Sequence, residues 1–338
     1  MKTTQILSAA VILSQQCVST SARSLRRNVS ADDRELNTRI IGGKEANEDR
    51  FSYAVSLSDH IGHFCGGSLI AKDVILTAAH CQGGNYNVVL GRHDVDDNDG
   101  EVIAMKKELP HPNYDSSSTN NDFMLVFLDS AVTATNVDLV TLNSDSSAPD
   151  VGDVVTVMGW GDVDIRDDVS KLSDVLMNVQ VNVISNQECD DSEGTIDGYY
   201  DNYNNQITKE MLCAKVDGGG EDSCQGDSGG PLVIKGSNAS QDVQVGVVSW
   251  GVGCASEHFP GVYARVSRAY DWIEKEVCKG SNHASDAGFN CGSVSASSGG
   301  GGGDTNDSPP PSNTGSTNSD AGDGVYDYDY FYNALGGN

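Results

Sequence analysis

Short apolar runs separated by turn residues dominate the central part of the chain. These runs are rich in Val, Ile and Leu, and clusters of Gly, Asn and Asp lie between them. Examples are residues 53–57, 67–70, 86–90, 154–158, 176–183 and 243–248. Apolar runs of this length, bounded by turn residues, are typical of β-strands. Many short strands in a chain of this size predict an all-β barrel or sandwich.

One helix is predicted, over residues 267–278. Tyr270, Ile273 and Val277 recur at helical spacing, and Ser267 is suited to be the N-cap.

Composition separates both ends of the chain from this β-rich centre. Residues 1–22 have a lysine, a short apolar run and then small residues, which is the pattern of a secretory signal peptide. The run is too short to cross a bilayer. Residues 279–338 are rich in Gly, Ser, Asn and Asp and predict a disordered tail, because such a segment buries too little apolar area. We therefore expect a secreted, extracellular protein without a membrane partner.

The chain is strongly acidic, with 49 Asp and Glu against 21 Lys and Arg and a net charge of −28 over 338 residues. Repulsion from phosphates opposes binding to nucleic acid, so we expect no nucleic-acid partner. The charge favours a cationic substrate, with solubility in an acidic medium as the alternative explanation.

Three short motifs contain the parts of a nucleophilic site. A serine hydroxyl is a poor nucleophile at neutral pH and needs a base, an orienting group and donors for the developing oxyanion. Ser228 lies in the sequence DSCQGDSGGP, His80 in TAAHC and Asp122 in NDFML. Their chain order is histidine, aspartate, serine. Together the motifs resemble the trypsin-like (chymotrypsin-fold) serine protease family over residues 40–278.

The resemblance implies a fold and a domain organisation. The family fold is two six-stranded antiparallel β-barrels with the active site between them and a C-terminal helix. His80 and Asp122 are expected in the first barrel and Ser228 in the second. The chain then divides into a signal peptide, a propeptide, a protease domain and a disordered tail, at residues 1–22, 23–39, 40–278 and 279–338.

The resemblance also implies catalytic roles. Ser228 is the expected nucleophile and His80 the base, while Asp122 fixes the histidine tautomer. Ser249 supports the aspartate. The backbone N–H groups of Gly226 and Ser228 form the expected oxyanion hole, and glycine suits the unusual backbone angles that such a turn needs.

Substrate recognition is expected from Asp222 at the floor of the primary pocket and from Gly251 and Gly261 in its walls. Ser249 and Trp250 precede the first wall and complete the expected substrate-binding set. A buried carboxylate pairs with a long cation, which predicts cleavage after Arg or Lys through an acyl-enzyme. We expect a monomer that binds peptide substrates and protease inhibitors. The alternative is a catalytically silent binding or inhibitory protein on a protease scaffold, although the catalytic motifs carry no substitution.

Activation is predicted at Arg39, which precedes Ile40 in the sequence RIIGG. By resemblance, cleavage frees the Ile40 amine, which buries itself against Asp227 and orders the site. Because Arg39 matches the expected specificity, we hypothesise self-activation. Asn28, Asn238 and Asn306 begin sequons for N-glycosylation.

The chain has nine cysteines, of which Cys17 is lost with the signal peptide. Spacing alone does not assign pairs among the other eight. The resemblance implies three disulfides, and Cys278 and Cys291 then remain as a fourth pair. The three implied pairs are Cys65–Cys81, Cys189–Cys213 and Cys224–Cys254.

Three features depart from the family. Arg92 stands where many trypsins have their first calcium ligand, so we expect no metal or cofactor. Calcium binding is the alternative, since Asp94, Asp96, Asp97, Asp99 and Glu101 follow.

The loop from Cys189 to Cys213 is acidic and longer than in vertebrate trypsins, and we hypothesise that it favours basic residues beyond the cut site. Finally, residues 23–26 (RSLR) and 32–35 (DDRE) resemble motifs of secreted oomycete effectors, although a basic processing site is the interpretation we favour.

Overall fold

The computed structural model describes residues 43–97, 99–162, 171–196, 198–220, 224 and 226–294. The predicted signal peptide, the propeptide with its effector-like segment and Arg39, Ile40, and Asp222 lie outside the described residues. Residues 295–338 of the predicted tail lie outside them as well. Within the described ranges, no helix combines the length and apolar character that crossing a bilayer requires.

Short strands are the predominant regular structure of the described chain. In chain order they are β1 (Lys44–Glu45), β2 (Ala54–Ser58), β3 (His63–Ala71), β4 (Val74–Thr77), β5 (Asn87–Leu90), β6 (Glu101–Pro110), β7 (Met124–Leu128), β8 (Thr141–Leu142), β9 (Val154–Gly159), β10 (Met177–Ile184), β11 (Glu193–Ile196), β12 (Tyr199–Asn202), β13 (Met211–Lys215), β14 (Pro231–Ile234), β15 (Val243–Trp250) and β16 (Gly261–Arg265). The helices are α1 (Asn186–Asp190), α2 (Val266–Gly280) and α3 (Cys291–Val294), with 3-10 turns at Ala79–Cys81 and Ala239–Gln241.

The strands form two barrels. The first closes in the order β2-β3-β4-β7-β6-β5, and all neighbouring strands are antiparallel. The second runs β10-β13-β16-β15-β14-β9 and closes through the pairing of β9 with β10. β1 adds to β10, and β8 pairs in parallel with β15. The prediction of two six-stranded antiparallel β-barrels with a C-terminal helix is confirmed.

Burial explains where the strands form. β7 is an unbroken apolar run, and all five of its residues are buried between β4 and β6. A strand covered on both faces has no need of alternating polar residues. Asp122 and Phe123 precede this strand directly, so the burial of β7 fixes the position of a candidate site residue.

The start of α2 differs from the prediction. The helix begins at Val266, its N-cap position is Arg265 at the end of β16, and no side chain caps it. Ser267 therefore lies in the first turn and is not the N-cap. Val266 is fully buried, which draws the first turn against the domain core and lets the strand continue directly into the helix.

The folded part also extends beyond the predicted boundary at residue 278. α2 continues to Gly280, and a disulfide joins Cys278 to Cys291 at the start of α3. Phe289 and Ala284 are only 8% and 4% exposed. The structure thus places residues 279–294 in the folded domain, where composition predicted the tail, because two buried side chains and a disulfide anchor an otherwise polar segment.

Four disulfides are present in the described residues, and they have the pairings expected from the resemblance and from the remaining cysteines. They are Cys65–Cys81, Cys189–Cys213, Cys224–Cys254 and Cys278–Cys291.

An ion pair between a partly exposed arginine and a fully buried aspartate ties the two barrels together. Asp242, which precedes β15, is fully buried and accepts hydrogen bonds from Arg50 Nη1 at 2.7 Å and from Tyr53 Oη at 2.6 Å. Arg50 and Tyr53 lie on the segment leading into β2, in the first barrel. Because removing one partner of such a pair leaves a buried charge uncompensated, the contact holds the barrels in one arrangement.

Candidate active site

The first barrel supplies a histidine and an aspartate in direct contact. His80 lies in the 3-10 turn after β4, and Asp122 lies just before β7. His80 Nδ1 is 2.7 Å from Asp122 Oδ2, and the backbone N–H of His80 donates to Asp122 Oδ1 at 2.9 Å. Asp122 is fully buried, while the His80 side chain is 26% exposed. The imidazole therefore has one edge on a buried carboxylate and the other toward the surface.

A side chain of the second barrel also donates a hydrogen bond to the Asp122 carboxylate. Ser249 Oγ, on β15, donates to Asp122 Oδ2 at 2.6 Å. On the other side, Asn121 adopts a left-handed backbone conformation (φ 56°), which asparagine tolerates better than most residues. The side-chain amide of Asn121 donates a hydrogen bond to the Asn113 carbonyl at 3.1 Å. Together these contacts orient the Asp122 carboxylate toward His80.

Hydrogen bonding sets the protonation of His80. Burial lowers the pKa of the imidazole, but the charge of Asp122 and its hydrogen bond outweigh burial and raise the His80 pKa above its ordinary value. An ionised carboxylate only accepts hydrogen bonds, so the Nδ1 of His80 carries the proton. The Nε2 atom of the neutral ring is then free to accept a proton, as a general base requires.

The Cys65–Cys81 disulfide brings Ser228 to the same place. A ring nitrogen of His80 lies within 4.8 Å of both sulfur atoms, and Cys81 Sγ is 3.7 Å from the Ser228 carbonyl oxygen. That carbonyl also accepts a hydrogen bond from the Gly66 amide at 2.7 Å. The two cysteines are bonded to each other and are therefore unavailable as metal ligands. The disulfide thus serves as a common support for His80 and Ser228.

The turn before Ser228 is shaped by Gly226. This residue has φ 94°, and a Cβ atom here would lie 2.7 Å from a methyl group of Leu172. Its carbonyl is 2.9 Å from Nε2 of His63, whose Nδ1 is 2.7 Å from the Ser56 hydroxyl. Burial lowers the pKa of His63 to about 4, so this ring is neutral at pH 7. The turn is consequently held by a neutral histidine that lies outside the catalytic motifs.

The peptide group between Asp227 and Ser228 sets the direction of the Ser228 N–H. The Asp227 carbonyl of that peptide accepts a hydrogen bond from Gly230 N at 2.8 Å, and Gly230 is buried. The C=O and N–H of a trans peptide point in opposite directions. The Ser228 N–H therefore points away from the Gly230 amide.

The carboxyl group of Asp227 is fully buried behind this turn. It accepts hydrogen bonds from the amides of Gly161 at 2.8 Å and Cys224 at 2.9 Å. A Cβ atom on Gly159 or Gly161 would overlap the Asp227 carboxyl group, so both glycines leave the space that it occupies. Burial raises the pKa of Asp227 to about 6, although the two amides oppose the shift.

The expected substrate-binding residues lie at the ends of two neighbouring strands. Ser249 and Trp250 end β15, Gly251 follows them, and Gly261 begins β16. Asp222 lies outside the described residues. The Cys224–Cys254 disulfide joins the turn that carries Ser228 to the loop after Gly251.

The acidic loop after Leu90 has partners within the protein. Arg92 Nε lies 3.9 Å from Asp99 Oδ1. The Glu101 carboxylate accepts hydrogen bonds from the amides of Thr133 at 2.9 Å and Ala134 at 2.7 Å, which lower the Glu101 pKa against the effect of its burial. Protein donors thus reach both carboxylate oxygens of Glu101.

Two further elements near the site were not predicted. One is His63. It is a single histidine outside the catalytic motifs, and the sequence around it gives no signal of its role. The other is the hairpin β11–β12 in the acidic Cys189–Cys213 loop, together with the short helix α1 before it. The sequence SNQE did contain a signal for α1, because Ser185 Oγ caps the Glu188 amide at 3.0 Å, as a capping-box pattern predicts.

Comparison with known proteins agrees with this geometry. The model of the family described as Trypsin matches residues 40–273. Trypsin from Xenopus laevis is 36% identical over 246 residues, which cover 72% of this chain and 92% of that protein. Anionic trypsin from Canis lupus familiaris is 37% identical over 246 residues, covering 72% and 91%. Trypsin-3 from Salmo salar is 38% identical over 241 residues, covering 71% and 93%.

Proposed function

Since this chain belongs to the trypsin family and is a trypsin-like serine endopeptidase, we propose that it hydrolyses peptide bonds on the carboxyl side of arginine and lysine. Proteases of this family act on peptides and are targets of protease inhibitors. The single observation that carries the proposal is the Ser249–Asp122–His80 hydrogen-bond chain, which ends beside Ser228 at the Cys65–Cys81 disulfide.

The proposed reaction uses side chains and backbone amides of the chain together with one water molecule. Ser228 Oγ attacks the scissile carbonyl carbon while His80 Nε2 takes the hydroxyl proton. The amides of Gly226 and Ser228 stabilise the oxyanion, and one such donor contributes about 10²- to 10³-fold in rate. His80 then protonates the leaving amine, which leaves an acyl group on Ser228. A water molecule, deprotonated by His80, hydrolyses this ester and regenerates the serine.

The proposed specificity depends on Asp222. The glycines at 251 and 261 support it, because walls without side chains leave room for a long cationic side chain to reach a carboxylate. An ammonium or guanidinium group satisfies a buried carboxylate by charge-assisted hydrogen bonds, whereas an apolar side chain leaves it unpaired. The names of the relatives, all trypsins, support the same specificity.

We also propose that the chain is a secreted zymogen. Cleavage after Arg39 creates an ammonium group on Ile40, and the buried carboxylate of Asp227 is its proposed partner. Burial of Asp227 between two glycines supports this role, because the carboxylate lacks a cation among the contacts described for it. Four disulfides support export to an oxidising compartment. The proposed protease domain begins at Ile40 and includes residues up to 294.

Matched peptide amides test the function. Protein cleaved after Arg39 is assayed on substrates that differ only in arginine, lysine or phenylalanine before the scissile bond, with Ser228→Ala as the control. We expect turnover of the arginine and lysine substrates, at least 10³-fold faster than for Ser228→Ala. Absence of turnover from correctly processed protein would favour the catalytically silent binding protein instead.

Processing tests the proposed self-activation. Full chain with intact Ser228 is expected to cleave itself after Arg39, and Ser228→Ala to remain uncleaved under the same conditions. Mass spectrometry of the new N-terminus measures this. Self-processing of purified Ser228→Ala at Arg39 would contradict the hypothesis.

A further inference from the structure

The hairpin in the acidic loop has one face of mixed aromatic and acidic character. β11 and β12 pair in a register that sets Gly194 opposite Asp201 and Ile196 opposite Tyr199. Directly opposed residues of an antiparallel pair lie on the same face. Gly194, Ile196, Tyr199 and Asp201 therefore share one face, which we call the inner face.

The inner face lies against the loop that follows Gly251. A Cβ atom on Gly253 would lie 2.9 Å from Ile196 Cδ1, and a Cβ atom on Gly194 would lie 2.6 Å from the His258 ring. Backbone and side chains are thus in close contact along this loop. Since Gly251 is a proposed wall of the primary pocket, the hairpin lies beside the loop that continues from this wall.

A buried tyrosine fixes the base of the hairpin. Tyr203 is fully buried, and its hydroxyl donates to the Pro260 carbonyl at 3.1 Å and accepts from the Val252 amide at 2.8 Å. Its ring lies 4.9 Å from the ring of Trp250, measured between centroids. These contacts hold the hairpin to both strands that border the proposed pocket, so its inner face has a defined position.

Two side chains of the inner face remain at the surface. Tyr199 is 60% exposed, and Asp201 is exposed as well. On the opposite face, the Tyr200 hydroxyl donates to Glu193 at 2.7 Å. The loop as a whole, residues 190–212, contains six carboxylates and one lysine. An exposed aromatic ring and a carboxylate on an acidic loop are complementary to a cation.

We propose that the inner face, through Tyr199 and Asp201, binds a basic side chain of the substrate on the N-terminal side of the cleaved bond. The proposal rests on the proposed function, because the arginine or lysine that enters between Gly251 and Gly261 directs the preceding residues past Trp250. An ammonium or guanidinium group there contacts the Tyr199 ring face and the Asp201 carboxylate. The enzyme thus selects substrates with more than one basic residue.

Peptide amides with arginine at the cleavage site test this proposal. The substrates differ at the second, third or fourth residue before the cleaved bond, which is lysine or glutamine. We expect kcat/KM to favour lysine about three- to tenfold at one of these positions, the size of an exposed cation–π contact with a carboxylate nearby. The ratio shrinks at high salt, because exposed charges are screened.

Variants of the hairpin assign the preference to one face. Tyr199→Ala and Asp201→Asn are each expected to reduce the lysine-to-glutamine ratio toward one. Tyr200→Ala is the matched control, because it removes a neighbouring tyrosine of similar exposure from the opposite face, and it is expected to keep the ratio. Thermal melts confirm that all three variants fold.

Two results overturn the proposal, and they differ from failure of the proposed function. One is a ratio near one in wild-type enzyme that readily cleaves a short arginine amide without upstream residues. The other is an equal loss of the ratio in Tyr200→Ala and Tyr199→Ala. If the short arginine amide itself is not cleaved by processed enzyme, the proposed function is contradicted instead.

Discussion

The buried carboxyl group of Asp227 predicts a pH-dependent weakness in the unprocessed chain. In that chain Ile40 is part of a peptide bond, so its nitrogen carries no positive charge that could pair with Asp227. The perturbation is Asp227→Asn, made in full-length protein that also carries Arg39→Gln and Ser228→Ala and therefore stays uncleaved. The amide removes the titrating group and keeps the size of the side chain.

The pKa of Asp227 determines the size and the sign of the expected change in the free energy of unfolding. Burial raises the pKa of Asp227 from 3.8 to about 6. At about 1.4 kcal/mol per unit, this corresponds to about 3 kcal/mol of folding free energy. The folded state binds the proton more tightly than the unfolded state. The contribution is therefore complete below pH 3.8 and is lost as the pH rises through 6.

Urea unfolding between pH 4 and pH 7 measures the effect. The free energy of unfolding of the chain with Asp227 should fall by about 2 to 3 kcal/mol relative to Asp227→Asn over this range. The amide leaves one of two backbone donors unpaired, which adds an offset that does not vary with pH. His63, whose pKa burial lowers to about 4, titrates in both proteins and cancels in the difference. Parallel profiles for the two proteins would refute the assigned burial cost of Asp227.

Three further predictions concern other parts of the molecule. Gly161→Ala places a methyl group where the Asp227 carboxyl group lies, so we expect kcat/KM to fall at least tenfold; activity within twofold of wild type would contradict this. Deletion from residue 279 onward removes a disulfide and buried apolar side chains and should lower stability by about 3 to 5 kcal/mol, whereas deletion from residue 295 should change the melting temperature little; equal melting temperatures would contradict the extended domain boundary. Because the neighbouring carboxylate outweighs burial and raises the His80 pKa, kcat/KM should decline in acid with an apparent pKa above about 6.5; a pH–rate profile that stays flat down to pH 5 would show that the imidazole is not the base.

The fold was predictable because the apolar runs and the catalytic motifs of the sequence point to the same architecture. Each predicted strand segment lies within or next to an observed strand, and β7, an unbroken apolar run, is buried as such a run requires. The motifs around His80 and Asp122 predicted residues that the structure brings into contact. Ser228 lies beside the same disulfide as His80. Motifs far apart in the sequence can predict that these three residues lie close together, because each motif depends on a specific local turn.

The remaining features depend on tertiary contacts that leave little trace in the sequence. His63 holds the Gly226 carbonyl from another barrel, and nothing in the residues around it signals that contact. The inner face of the hairpin is set by the register of β11 with β12, in a loop whose composition suggested only charge. Residues 279–294 were assigned to the tail by composition, although Phe289 and the Cys278–Cys291 disulfide anchor them to the domain.

Trapping of the acyl-enzyme tests whether Ser228 is the nucleophile. Protein cleaved after Arg39 is mixed with an arginine-like guanidinobenzoate ester, whose acyl group leaves a serine slowly, and the released alcohol and the protein mass are measured. We expect a burst of one alcohol per active protein and a single acyl group on Ser228, with neither in Ser228→Ala. An acyl group on another residue, or no burst from correctly processed protein, would contradict the assignment of Ser228 as the nucleophile.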